Sequence, residues 1–161
     1  MTLAEALQQK LSDLPPHAGP APAPHAVPLD GGVTVELSAK RLDTIAAEHQ
    51  QIRVTRPAGA ESVGEWAGAI AARVRGLRED LKVIEVDATI DQAILRSEEP
   101  AARGGVRSYY EVHLKGNDTA TVARYQADRD AGTPREAVGF PLTHEVTAQL
   151  VSDIVGEPPM G

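Results

Sequence analysis

The chain has 161 residues, a formal net charge of −7, no cysteine and only 3% aromatic residues. Its length fits one domain that buries about two-thirds of its unfolded surface, around a core that must be built from Ala, Val, Leu and Ile. The acidic balance disfavours nucleic acid and anionic membranes, and the lack of cysteine excludes disulfides, thiolate metal sites and cysteine nucleophiles.

Residues 2–14 read as an amphipathic helix. Thr2 and Glu5 have capping-box spacing, and Leu3, Leu7, Leu11 and Leu14 recur at helical intervals. A helix of about three turns is marginal alone in water, so it must dock on its own domain or on another chain. Residues 15–29 are proline-rich, which favours extended polyproline II and reads as a linker or an arm laid along the domain.

The folded domain is expected over residues 30–156. Val33, Val35 and Leu37 alternate with polar residues, as in a half-buried strand. Residues 39–49 are ambiguous between a helix and a prolonged hairpin arm, and residues 51–55 form a further strand. Ser62 and Glu65 open a helix over 62–76 with a stripe of Val63, Trp66, Ala67, Ile70, Val74 and Leu77, and Gly76 stands where a helix end favours positive φ. Two strands follow, 81–87 and 92–97. Pairing Val86 with Ala93 and Ile84 with Leu95 gives an apolar face and turns Glu85, Asp87, Gln92 and Arg96 outward.

The most legible stretch is 108–126. With Asn117-Asp118 as a two-residue turn, Tyr110, Val112 and Leu114 face Tyr125, Ala123 and Thr121. The opposite, polar face then holds Tyr109, Glu111 and His113, with Arg124 across from Glu111. A strand with Val138, Phe140 and Leu142 on one face leads to Thr143, which caps a helix over 143–155 ending at Gly156. Residues 157–161 are a tail. The sum is an α+β fold: a mainly antiparallel sheet of six or seven strands with helices 62–76 and 143–155 on one face, and an N-terminal helix on a proline-rich tether.

Few motifs carry chemistry. Gly59–Gly64 joins a strand to a helix as a phosphate loop does, but Glu65 and Trp66 stand where lysine and a hydroxyl residue are needed. Asp128-Arg-Asp130 starts like a calcium loop and then lacks its third ligand, its glycine and its final glutamate. No metal or cofactor is expected. Tyr109, Glu111, His113 and Arg124 are the candidate ligand-binding residues, since a phenol, a carboxylate and an imidazole on one rigid face suit a polar ligand or acid–base chemistry.

Leu7, Leu11 and Leu14, then Pro15-Pro16, then Asp30-Gly31-Gly32-Val33 give the start of the chain a loose likeness to the small acidic chaperones of bacterial secretion systems. Those are cytosolic α/β proteins with a leading helix followed by a β-hairpin. The proline-rich insertion and the strands after Leu81 depart from that pattern. The absence of catalytic motifs and the unhoused apolar stripe of the leading helix, together with this resemblance, point to a non-enzymatic module, an adaptor or chaperone-like protein, that binds another protein or itself through a sheet edge, the polar sheet face or the tethered helix. The alternative is a small-molecule binder or hydrolase working at the polar face of the hairpin. No apolar run reaches the roughly 20 residues of a membrane span, and residues 1–5 lack a signal-peptide pattern, so a cytoplasmic location is expected.

Overall fold

The core is a sandwich of one sheet face and three α-helices, seen here in a computed structural model that describes residues 1–97, 105–128 and 134–156. In chain order the elements are α1 (Leu3–Asp13), β1 (His17–Pro28), β2 (Thr34–Leu42), β3 (Ala46–Thr55), α2 (Val63–Arg73), β4 (Leu81–Asp87), β5 (Gln92–Ser97), β6 (Val106–Lys115), β7 (Thr119–Asp128), β8 (Glu136–Val138), β9 (Phe140–Thr143) and α3 (His144–Val155). The strands form one antiparallel sheet in the order β1-β2-β3-β7-β6-β5-β4, with β8 beside β7 and β9 beside β3. The nine strands among the described residues exceed the six or seven expected. The proline-rich segment adds β1, and the 138–142 strand is split in two at Gly139.

Alternation explains which face is buried. Val35, Leu37, Ile52, Val54, Val122, Ala120, Leu114, Val112, Leu95 and Ala93 lie on one face and join Trp66, Ile70, Leu150 and Ile154 in a single cluster. Helix α1 lies against α3, and its Leu7 and Leu11 are fully buried in the same cluster. The leading helix is therefore docked on its own domain, and β1 contributes Val27 to the same core.

Local chemistry fixes the helix ends. Ser62 and Glu65 make a reciprocal capping box, Thr143 accepts from the Val146 amide at 3.1 Å, and Gly156 ends α3 in the left-handed region. Helix α2 stops at Arg73, earlier than expected; Val74 turns extended, and Gly76 does not adopt positive φ. The ambiguous residues 39–49 are strand: β2 and β3 form a hairpin whose Asp43 side chain accepts from the Ile45 and Ala46 amides.

Two registers differ from the expected ones. The β6–β7 hairpin closes through three residues, Gly116–Asp118, with Gly116 at φ +61° and Lys115 opposite Thr119. Tyr109 therefore faces Tyr125 and Val112 faces Val122, so every residue of β7 changes face. In the β4–β5 hairpin Val86 pairs with Ala93 as expected, but a bulge at Ile84 lets Val83 take the place opposite Leu95.

At Gly139 the chain passes from β7 to β3. A Cβ there would meet the Gln50 Nε2 at 2.9 Å and the Glu48 side chain at 3.3 Å, so any larger residue would have to displace those side-chain ends. Most of the calcium-loop reading and the tail at 157–161 fall outside the described residues.

Candidate functional site

Three of the four candidate residues, Tyr109, Glu111 and His113, lie on the sheet face that no described helix covers. Alternation along β6 puts Tyr109, Glu111 and His113 there, and the register adds Tyr125, Ala123 and Thr121 from β7 with Ile94 and Arg96 from β5. Arg124 is not with them. It pairs with Tyr110, so its side chain belongs to the helix-bearing face. The physical reason is the three-residue turn, which shifts β7 by one position.

Arginines absent from the expected set complete the site. Arg135, from the segment before β8, folds over the open face and donates through Nη1 to the Glu111 carboxylate and, at 3.3 Å, to the Tyr109 hydroxyl. Arg96 Nη2 lies 3.6 Å from Glu111 Oε2. The same guanidiniums stack on the tyrosines: Arg135 lies 3.8 Å from the Tyr125 ring centre and Arg96 lies 4.8 Å from that of Tyr109. The two rings are 6.1 Å apart. The result is a row, Arg96–Tyr109–Tyr125–Arg135, tied together by one carboxylate.

This cluster is shielded although no helix covers it. Glu111 is only 6% exposed, whereas the Arg96 and Arg135 side chains are 35% and 38% exposed. Burial opposes the charge on Arg135, but its hydrogen bonds to Tyr109 and Glu111 and their nearby charges outweigh it and raise its pKa. Two guanidiniums around one carboxylate leave an excess of positive charge facing outward. Beside them is a cleft of about 310 Å³ lined by Ile94, Glu111, His113, Thr121, Ala123 and Tyr125. His113 Nε2 lies 3.1 Å from Gln92 Oε1. The carboxylate, phenol and imidazole that acid–base chemistry would use are thus each in hydrogen-bond contact with a neighbour.

Arg124 forms a separate constellation on the other face. It contacts Glu79 at 3.3 Å and stacks over Tyr110 at 4.4 Å; Glu79 in turn accepts from Ser97 Oγ at 2.8 Å. Burial, above all, raises the Tyr110 pKa.

Sequence reasoning also missed a pair of buried histidines. His49 Nε2 lies 3.1 Å from Thr147 Oγ1, His144 Nε2 donates to the Asp43 carbonyl at 2.7 Å, and neither Nδ1 has a hydrogen-bond partner. Burial, reinforced by repulsion from His144, lowers the His49 pKa to about 4. No group of three or more His, Asp or Glu is placed to hold a metal ion among the described residues.

No protein-family model, curated protein or solved structure matches the chain. No described helix is long and apolar enough to cross a membrane.

Proposed function

We propose that the protein is a non-enzymatic binding module, cytoplasmic in location, that takes a carboxylate-bearing segment of a partner protein against its open sheet face. The observation that carries this reading is the preformed row of two arginines and two tyrosines, the residue types that dominate interface hot spots. Arg96, Tyr109 and Tyr125 stand on paired strands, and Glu111 holds the Arg96 and Arg135 guanidiniums, so side-chain freedom left to lose on binding is reduced.

The chain as a whole is acidic, which argues against an acidic partner at long range. Charges farther apart than about 8–10 Å are largely screened at physiological salt, so the local excess of guanidinium decides what rests on the cluster. The docked position of α1, with Leu7 and Leu11 buried, favours the open face over the leading helix as the binding surface. The small-ligand alternative keeps one favourable observation, the cleft beside Glu111.

The test is quantitative affinity capture on the immobilised full chain, run beside an Arg96→Ala/Arg135→Ala variant whose folding is checked by circular dichroism. A protein with an acidic segment that is held by the wild type, lost from the variant and released by salt supports the reading. Identical captured sets would overturn it. A small-molecule adduct seen by native mass spectrometry only on the wild type would favour the cleft instead.

A further inference from the structure

The two edges of the sheet are finished differently. The β1 edge carries Pro20, Pro22, Pro24 and Pro28, residues with no amide to offer an incoming strand. The β4 edge has no proline, and among the described residues β4 pairs only with β5. Its Val83, Ile84 and Val86 are 38%, 47% and 46% exposed.

We propose that this edge pairs with a second copy of the chain, joining two sheets into one across a two-fold axis that passes between Ile84 and Glu85 at the bulge. The bulge supplies the argument for that partner. It would mismatch a regular strand, but an axis through it sets bulge against bulge and keeps both sides in register. Val83 and Val86 lie on the helix-bearing face, opposite Leu95 and Ala93, while Lys82 and Asp87 lie on the open face, opposite Arg96 and Gln92. The axis brings Val83 against the partner's Val86 and Lys82 against the partner's Asp87. Each of these pairs thus forms twice, once on either side of the axis.

Helix α2 supplies an independent observation. It packs over β4 and β5, and Gly64 approaches Val86, whose Cγ1 a Cβ at that glycine would meet at 3.3 Å. Gly68, one turn on, is exposed and nothing lies within 4 Å of where its Cβ would be. Glycine at a helix interior costs about 1 kcal/mol relative to alanine. No contact among the described residues accounts for it. Across the proposed axis the two α2 helices lie side by side on the joined sheet, and Gly64, Gly68 and Ala72 form a stripe that permits their close approach.

This inference is independent of the open-face reading. The test is sedimentation equilibrium on the full chain, with wild type, Lys82→Glu, Asp87→Lys, and the double exchange. Wild type is expected at twice the 17.0 kDa of the chain. Each single exchange places like charges together at two symmetric positions and should weaken the dimer by about tenfold or more. The double exchange should restore it, and Ile84→Lys should abolish it while leaving the circular dichroism spectrum unchanged. A wild type that stays monomeric up to about 100 μM, well above the range of specific dimers, would overturn the proposal. So would a dimer indifferent to both single exchanges.

Discussion

Arg135 lies over the ring of Tyr125, 3.8 Å from its centre, while its Nη1 reaches the Glu111 carboxylate one strand away. One side chain from outside the β6–β7 hairpin thus converts what would be a solvated strand face into an organised, positively biased surface.

Glu111 holds two guanidiniums, so Glu111→Gln should leave both short of a counter-charge. The expected loss of stability is about 2 kcal/mol, below the range for fully buried pairs because both arginines are one-third exposed. Arg135→Ala should cost about 1 kcal/mol. Urea unfolding of the two single variants and the double variant measures their coupling, which should be favourable.

Helix α1 belongs to the core. Leu7→Ala and Leu11→Ala should each destabilise the chain by about 2–4 kcal/mol, as large-to-small changes at fully buried sites do. A chain beginning at Asp30 should lack a cooperative thermal transition, since it also loses Val27 and leaves β2 as the sheet edge. If that shortened chain melted like the full one, α1 would be a dispensable arm.

His49 sets an acid limit. Its folded pKa, about 4, lies below the usual 6.5, so the unfolded chain binds the proton more readily between those values. Stability is therefore intact above pH 6.5 and falls as pH drops towards 4, by about 3 kcal/mol in all. Urea midpoints at pH 7 and pH 5 should differ more for wild type than for His49→Gln.

Ser62 anchors α2 through its capping box. Ser62→Ala should lower stability by about 1 kcal/mol, and Ser62→Asp should retain most of it. Thermal melts distinguish the two.

What the sequence made legible was local. The caps of α2 and α3 follow from hydrogen bonds within one helical turn, and the β6–β7 hairpin follows from alternation. The register did not, because Gly116 and Asn117-Asp118 offer competing turns three residues and two residues long. The choice here goes with contacts from elsewhere: Arg56 donates to the Asp118 and Asn117 carbonyls, and Asn117 donates to Gly59 and Glu61. That single slip moved Arg124 off the open face. Arg96 was within reach of sequence reasoning, since placing β5 beside β6 sets it opposite Glu111. Arg135 had no such signal, because its position depends on the pairing of the three-residue strand β8 with β7. Strand β1 was hidden because a proline-rich extended segment suits polyproline II as well as an edge strand, and only the distant partner β2 tells them apart.

The most direct measurement is an amide-resolved NMR titration of the full chain with a short polyglutamate peptide at about 150 mM salt, where long-range charge is screened. Shifts concentrated on β5, β6 and β7 around Arg96, Glu111 and Arg135, and lost in Arg96→Ala/Arg135→Ala, are the expected result. Shifts confined to the helix-bearing face, or none at all, would contradict a carboxylate-binding open face.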